Sequence, residues 1–264
     1  MHQRLYKKAL GKSGRADDHF DIATRQPAGE TPFMNIGIIG SGNIGSTLAR
    51  HLVSLGHEVS IGNSRGPQSL AAVSADTGAT AVTAEQAARS RDLVIIAVPQ
   101  AAVPQLPIEA LRSSSAVVVD TGNYYPTRDG AIVEIDNGLT DSQWVATVLG
   151  RPVIKAFNSI VASSLAKGGL PAGTPGRICL PVAGDDLKSK TLVQEVIRAM
   201  GFDTIDGGSL ANSWRQQPGT FAYCRDLDAT ALSAALAQAD EGQIASYRKK
   251  ADDEAAPYFS AAKT

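Results

Sequence analysis

A glycine-rich turn between a predicted strand and a predicted helix has the spacing of a phosphate-binding loop. It reads G-x-G-x-x-G and follows an apolar run at residues 36–39, which is typical of a buried strand. In such a loop the first glycine allows a tight turn, the second lets the backbone approach a pyrophosphate, and the third lets the helix pack closely. The helix N-terminus then offers free N–H groups and a partial positive charge. A dinucleotide site is therefore predicted, with these residues as ligands: Gly40, Ser41, Gly42, Asn43, Ile44 and Gly45.

The residues after the second predicted strand indicate which dinucleotide binds. Sites selective for NAD place Asp or Glu about 20 residues after the glycines, where the acid accepts from the ribose 2′-hydroxyl. Here the stretch reads G-N-S-R-G and contains no acid. A Ser hydroxyl and an Arg guanidinium would bind the 2′-phosphate of NADP through charge-assisted hydrogen bonds. The sequence therefore favours NADP over NAD, with Asn63, Ser64 and Arg65 as further binding residues.

Loops after two later strands are expected to border the nicotinamide end of the dinucleotide. Val98 and Pro99 stand at the end of one predicted strand, and Asn123 follows the next. Ligands of open α/β sheets bind outside the carboxyl ends of the strands, which is where these residues would lie. Ordinary strand-to-loop turns are the alternative.

Few side chains are suited to acid–base chemistry beside the nicotinamide. The four histidines are His2, His19, His51 and His57, so none follows the first strand–helix–strand unit. Lys155 and the loop residues Tyr124 and Tyr125 are candidate proton donors, although the lysine could extend outward from a strand end and the tyrosines could be packing residues. No cluster of metal-ligating side chains is apparent. The sequence therefore favours a hydride acceptor that needs little proton transfer from protein, such as a flavin-like ring.

The elements that would position these residues alternate between strands and helices. Strands are predicted at residues 36–39, 58–61, 93–98, 116–119 and 153–157, and a helix at 43–55. Thr83 begins a capping box that ends at Gln86, which predicts another short helix. Strand–helix–strand units form parallel sheets through right-handed crossovers. We therefore expect a Rossmann-type, doubly wound α/β fold with a mostly parallel sheet.

The last third of the chain is expected to complete the sheet and then cover it. Strands are predicted at 177–183 and 202–205 and a helix at 185–200, followed by an Ala-rich helical stretch at 226–250 that forms a small cap. This pattern predicts a dinucleotide-binding domain at residues 34–160 and a smaller C-terminal domain at 161–264. Residues 1–33 lack apolar periodicity, and we expect them to be a disordered extension, or Met34 to be the true start.

Composition excludes several classes of protein. The 264 residues carry 25 Lys and Arg against 26 Asp and Glu, so no basic field attracts nucleic acid or anionic lipid. The two cysteines, Cys179 and Cys224, predict neither a disulfide framework nor a zinc site. Apolar runs fall far short of the roughly 20 residues that a membrane helix needs. We therefore expect a cytoplasmic enzyme that acts on a small-molecule redox acceptor and has no nucleic-acid or membrane partner.

The motifs together resemble one family. The segments G-S-G-N-I-G, G-H-E-V and N-S-R-G-P are similar to those of the NADPH-dependent reductases of coenzyme F420, a deazaflavin, and of their bacterial relatives. The V-K-A-F-N segment also resembles the cytoplasmic domain of the six-transmembrane metalloreductases. The resemblance implies a Rossmann domain with a small C-terminal domain, usually a homodimer, and direct hydride transfer from carbon 4 of the nicotinamide to the deazaflavin. It implies the glycine loop for the pyrophosphate, Ser64 and Arg65 for the 2′-phosphate, and Val98 and Pro99 beside the nicotinamide ribose.

Two departures from the family leave the acceptor open. Archaeal deazaflavin reductases carry a His near the ring, in a segment where this chain has Asn158, and their C-terminal ends differ from the one here. Asn158 is therefore a candidate for catalysis and for acceptor binding. Trp214 and Arg215 could stack an aromatic ring and hold an anionic tail, although Trp214 could instead pack the cap onto the sheet.

Three functions are consistent with these observations. The first is hydride transfer between NADP(H) and a deazaflavin (coenzyme F420) or a flavin (FMN or FAD), with catalysis mainly by positioning two rings. The second is NADPH-dependent reduction of an imine or ketone, which would need Tyr124, Tyr125 or Lys155 as proton donor. The third is a redox sensor that binds NADP without turnover.

Overall fold

A computed structural model describes residues 32–261, so the predicted extension at residues 1–33 lies almost wholly outside the described part. Six strands form one parallel sheet in the order β3-β2-β1-β4-β5-β6. This is the strand order of a doubly wound dinucleotide-binding fold, in which β2 and β3 are added on one side of β1 and β4, β5 and β6 on the other. The strands are β1 (Asn35–Ile39), β2 (Glu58–Asn63), β3 (Thr80–Thr83), β4 (Leu93–Ile96), β5 (Val117–Asp120) and β6 (Ile154–Lys155). The predicted fold class is confirmed.

Helices cover both faces of this sheet. On the first face lie α1 (Asn43–Ser54), α2 (Ala71–Thr77), α8 (Ala162–Lys167) and α9 (Leu187–Ala199). The remaining helices are α3 (Ala84–Ala88), α4 (Ile108–Ser113), α5 (Pro126–Asp129), α6 (Val133–Asp136), α7 (Asp141–Leu149), α10 (Ala229–Gln238) and α11 (Ile244–Ala261). Strand β4 shows why both faces are covered, because Leu93 and Ile95 pack into one core while Val94 and Ile96 pack into the other. Successive side chains of a strand point to opposite faces, so a continuous apolar run requires two layers of helices.

Several predicted elements differ from the observed ones. The edge strand β3 was not predicted, because its sequence T-A-V-T is only half apolar. Strand β6 has two residues instead of five, and Phe157, with a φ of +61°, cannot continue it. The capping box at Thr83 and Gln86 is confirmed, with both of its hydrogen bonds present.

The C-terminal strands form their own sheet and do not extend the main one. Strands β7 (Cys179–Val182) and β8 (Asp203–Asp206) pair in parallel, and an antiparallel bridge between Lys155 and Ala183 links this small sheet to β6. The helical stretch predicted at 226–250 is two helices, α10 and α11. They are separated by a short 3₁₀ turn at Glu241–Gln243, where the Asp240 carboxylate accepts from the Gly242 N–H. The division into domains near residue 160 stays a prediction. None of the helices at residues 32–261 is long and apolar enough to cross a membrane.

His57, directly before β2, should make stability depend on pH. Its side chain is only 7% exposed, and within the described residues neither ring nitrogen has a hydrogen-bond partner. Burial lowers the pKa of this imidazole below its ordinary value. The unfolded chain then binds the proton more tightly, so stability is complete above the unfolded pKa of about 6.5 and is lost as the pH falls below it.

We expect the free energy of unfolding to fall between pH 7 and pH 5 in the wild type, and to fall less in His57→Leu. Urea unfolding of both proteins at the two pH values measures the difference. Equal losses would show that His57 is not the group responsible.

Candidate active site

The glycine loop joins β1 to α1, and each glycine has the surroundings that its predicted role requires. Gly40 has a φ of +117°, which favours glycine, and an added Cβ would lie 2.1 Å from the carbonyl oxygen of Ala97. An added Cβ at Gly45 would lie 1.9 Å from the carbonyl oxygen of Gly40, so α1 approaches the turn this closely only through glycine. An added Cβ at Gly42 would meet no atom within 4 Å. The loop therefore leaves open space at Gly42, where a pyrophosphate would fit.

Helix α1 presents an uncapped N-terminus to this space. Its N-cap residue is Gly42, which has no side chain that could cap the helix, and its first turn contains no acid. The unpaired N–H groups and the helix dipole favour an anion at such an end. Ser46 stiffens the turn, because its backbone N–H donates to the carbonyl oxygen of Gly42 at 2.9 Å and its Oγ to that of Ser41 at 3.1 Å. The arrangement is suited to bind phosphate through backbone groups.

Asn63 at the end of β2 connects the glycine loop to the loop that follows. Its Nδ2 donates to Ser41 Oγ at 3.2 Å and to Ser69 Oγ at 2.9 Å, and its Oδ1 accepts from the backbone N–H of Arg65 at 2.9 Å. Ser64 and Arg65 are exposed, and no ion pair within residues 32–261 includes Arg65. The guanidinium is therefore available to an anion beside the glycine loop.

Replacing Gly42 with alanine should weaken NADPH binding and leave the fold intact. The backbone here is extended, with a φ of −75°, so alanine adopts it without strain, and the methyl group would enter the open space. Crowding of this kind costs about 1–3 kcal/mol, so we expect the dissociation constant for NADPH to rise roughly 5- to 150-fold. Fluorescence titration measures the binding, and thermal unfolding checks the fold. The control is Gly242→Ala, a glycine of the 3₁₀ turn before α11, which should bind NADPH like the wild type.

Three amide side chains from distant segments meet at the carboxyl ends of β5 and β6. Asn158 Nδ2 donates to Asn123 Oδ1 at 3.0 Å and to the carbonyl oxygen of Gln216 at 2.7 Å, while Gln216 Nε2 donates to Asn158 Oδ1 at 2.8 Å. Asn123 Nδ2 in turn donates to the carbonyl oxygen of Asn158 at 2.9 Å. We call Asn123, Asn158 and Gln216 the amide cluster. The two asparagines were predicted as site residues from the sequence, whereas Gln216 was not, because no motif marks it.

Lys155 lies beneath this cluster and does not extend outward. Its side chain is fully buried, and Nζ donates to the carbonyl oxygen of Gly122 and, at 3.3 Å, to Asp120 Oδ2. Asp120 Oδ1 accepts from the Gly122 N–H at 2.8 Å, and Oδ2 accepts from Ser142 Oγ at 2.6 Å. The alternative of a lysine that extends outward is therefore wrong, since its side chain is 0% exposed, while its role as a proton donor stays a prediction. In this position the ammonium group holds the loop after β5.

A second buried carboxylate supports the same loop and was not predicted. Asp141, the first residue of α7, is 1% exposed and its Oδ2 accepts from the Tyr124 N–H at 3.0 Å. Burial raises the pKa of this carboxyl group, and the charge of Lys155 opposes the shift. Its burial could not be predicted from the sequence, because the helix dipole also stabilises an exposed acid at a helix N-terminus.

The two candidate tyrosines lie in different surroundings. Tyr124 is buried, and its Oη donates to the carbonyl oxygen of Gly130 at 3.1 Å and accepts from the Ile132 N–H at 3.0 Å. Tyr125 Oη lies 2.8 Å from Tyr223 Oη. Neither hydroxyl group forms a hydrogen bond with the amide cluster.

Trp214 and Arg215 are joined to the C-terminal helices. Trp214 is 4% exposed, and the Arg215 guanidinium lies 4.3 Å from its ring centre. Arg215 Nη1 donates to the carbonyl oxygens of Leu236 and Ala239 at 3.1 and 3.2 Å, at the end of α10. The guanidinium thus satisfies a helix C-terminus, and the indole packs in the interior. Val98 and Pro99 follow β4 after one intervening residue; Val98 is half-buried and Pro99 is exposed.

No group of three or more metal-ligating side chains occurs within the described residues. The site is therefore built from backbone N–H groups, one exposed guanidinium and a cluster of amides, all at the carboxyl ends of parallel strands.

Comparisons with known proteins agree with this geometry. Residues 35–124 match the family described as NADP oxidoreductase, coenzyme F420-dependent. A hypothetical protein from Sinorhizobium meliloti, SMa0349, has a TM-score of 0.58 and 31% identity, over 69% of this chain and 88% of that one. A candidate F420-dependent NADP reductase from Arthrobacter sp. FB24 has a TM-score of 0.58 and 25% identity, over 68% and 87%.

Two curated relatives match smaller shares of their own length. The metalloreductase STEAP3 of Rattus norvegicus is 32% identical over 67% of this chain, and the protein YjhV of Escherichia coli K12 is 39% identical over 37%. The chain spans 34% of the rat protein and 64% of the E. coli protein.

Proposed function

Because the chain belongs to the family of coenzyme F420-dependent NADP oxidoreductases, we propose that it transfers a hydride between NADP(H) and a deazaflavin or flavin acceptor. In the reducing direction, NADPH, the acceptor and one solvent proton give NADP⁺ and the two-electron-reduced acceptor. The observation that carries the proposal is the combination of the open glycine loop with the exposed Arg65 and the amide cluster.

Each part of the site has a distinct task in this proposal. The N–H groups at the start of α1 bind the pyrophosphate, and Ser64 and Arg65 bind the 2′-phosphate. NADPH supplies the hydride from carbon 4 of its nicotinamide ring. Val98 and Pro99 lie beside the nicotinamide ribose, and the amide cluster orients the ring through hydrogen bonds.

The chemistry of the amide cluster supports a flavin-like acceptor over an imine or a ketone. Amide side chains do not exchange protons near neutral pH, so they can hold a ring but cannot serve as an acid. The ammonium of Lys155 and the hydroxyl of Tyr124 are both occupied by buried hydrogen bonds. A deazaflavin or flavin ring accepts a hydride without a protein acid, so the enzyme accelerates hydride transfer mainly by positioning the two rings. A homodimer and a cytoplasmic location stay predictions.

Anaerobic oxidation of NADPH by the purified protein tests the proposal. Parallel arms contain coenzyme F420, FMN, FAD, a cyclic imine or a ketone, and each is repeated with NADH. Turnover with F420 or a flavin, faster with NADPH than with NADH, is the expected result. Turnover with the imine or ketone alone would replace the proposal by a reductase of those substrates. Tight binding of NADPH without its oxidation by any acceptor would instead support the alternative of a redox sensor.

A further inference from the structure

A cavity of about 350 Å³ opens between the loop after β5, the segment around Tyr223 and helix α11. This volume lies within the usual range for sites of small organic ligands. The residues that matter for its chemistry are Tyr125, Tyr223, Cys224, Arg225, Lys250 and Tyr258. We call it the tyrosine cavity.

The tyrosine cavity adjoins the loops that carry the amide cluster. Tyr125 lies two residues after Asn123. On the other side, the backbone N–H of Cys224 donates to the carbonyl oxygen of Ser159 at 2.9 Å, and Ser159 follows Asn158 directly. A ligand in this cavity would therefore lie next to the nicotinamide end of the proposed NADP site.

The aromatic walls of the cavity are held in place. The Tyr125 ring packs edge-to-face on Phe259 of α11, with ring centres 5.1 Å apart, and its hydroxyl lies 2.8 Å from that of Tyr223. Burial raises the pKa of both phenols, so both are neutral at physiological pH. Fixed aromatic rings favour a flat aromatic ligand, which they contact at low cost in conformational entropy.

The charge at the cavity is suited to an anionic group. Arg225 is exposed and belongs to no ion pair within residues 32–261, and Lys250 is 70% exposed. Glu254, which also lines the cavity, lies 4.0 Å from Lys250, so the charged side chains of the lining have a net charge of +1. Burial raises the pKa of the Cys224 thiol to about 11, so the thiol adds no negative charge. Two cations at the edge of an aromatic cavity would attract a phosphate or carboxylate tail.

We propose that the tyrosine cavity binds the hydride acceptor, with its planar ring against the tyrosine side chains and its anionic tail at Arg225 and Lys250. This inference rests on the proposed function and names a part of the same site. It replaces Trp214 and Arg215 as the acceptor platform, because that guanidinium is bound to the end of α10.

Charge reversal on α11 provides a matched test. Lys249 and Lys250 are neighbours with similar exposure, each followed four residues later by an acid, but Lys250 alone of the two lines the cavity. We expect Lys250→Glu to raise the Michaelis constant for the acceptor about fivefold or more at low ionic strength. Lys249→Glu should leave it unchanged, and both variants should keep the wild-type Michaelis constant for NADPH. Arg225→Glu should act like Lys250→Glu.

A binding measurement separates this inference from the proposed function. Fluorescence titration of the full chain with F420 and with FMN, without NADPH, reports acceptor binding even where no turnover occurs. Weaker binding to Lys250→Glu than to Lys249→Glu supports the cavity. Equal binding to these two variants overturns the cavity and leaves the proposed function standing. Lack of turnover with every acceptor overturns the proposed function, and lack of binding to the wild type overturns the cavity as well.

Discussion

Replacing Arg65 with alanine should raise the Michaelis constant for NADPH roughly 10- to 100-fold and leave that for NADH nearly unchanged. The guanidinium is exposed next to the glycine loop, and the Asn63 carboxamide fixes its backbone through a 2.9 Å hydrogen bond. A hydrogen bond to a charged group contributes about 1.5–3 kcal/mol, and each 1.4 kcal/mol is a factor of ten in affinity. NADH lacks the 2′-phosphate, so it loses nothing when the guanidinium is removed. Steady-state kinetics with both dinucleotides and one acceptor measure the effect.

The matched control for this prediction is Arg91→Ala. Arg91 is also exposed, but it precedes β4, so it lies at the amino ends of the strands, whereas the glycine loop lies at their carboxyl ends. We expect this variant to keep wild-type constants for both dinucleotides. Equal changes for NADPH and NADH in Arg65→Ala would contradict the assignment of Arg65 to the 2′-phosphate.

Replacing Lys155 with methionine should lower the free energy of unfolding by about 3–5 kcal/mol. The change leaves the Asp120 carboxylate, which is 1% exposed, without its cation, and it removes the donor to the carbonyl oxygen of Gly122. Breaking a buried pair by removal of one partner costs this much because an uncompensated charge stays in the interior. Chemical denaturation at pH 7 measures the loss. NADPH affinity should fall as well, because the loop that carries Asn123 loses its support.

Two further variants make the role of Lys155 testable even where the single variant does not fold. Lys155→Met combined with Asp120→Asn removes both charges and should recover part of the lost stability. Lys190→Met removes the cation of another pair, with Asp206 at 2.8 Å, whose carboxylate is 54% exposed, and should cost much less. A stable Lys155→Met protein whose turnover alone is lost would instead indicate a proton donor.

Local patterns were sufficient for the frame of this protein. The glycine spacing predicts Gly40 in a turn, Gly42 at open space and Gly45 at a close contact, and the structure has all three features. The apolar runs predict strands covered on two faces, because alternation of side chains along a strand depends only on the chain itself. Strand–helix–strand units with right-handed crossovers predict a parallel sheet, and the main sheet is parallel.

Sequence pattern was weakest where a short element depends on its neighbours. Strand β6 was expected to have five residues and has two, because Phe157, with a φ of +61°, is not extended. Lys155 of this short strand also pairs with Ala183, next to the small sheet. The edge strand β3 has few apolar residues of its own, and it forms because β2 offers it a parallel partner. Neither outcome is determined by residues within the element.

Only the tertiary structure decided which side chains meet. Asn123, Asn158 and Gln216 come from segments 35 and 58 residues apart and share four hydrogen bonds. The buried position of the Lys155 ammonium group likewise depends on Asp120, which lies on the neighbouring strand. Sequence spacing constrains residues within a turn or two of each other, whereas contacts between distant segments depend on how the helices and sheets pack. The phosphate-binding loop could therefore be predicted from the chain, but the amide cluster and the tyrosine cavity could not.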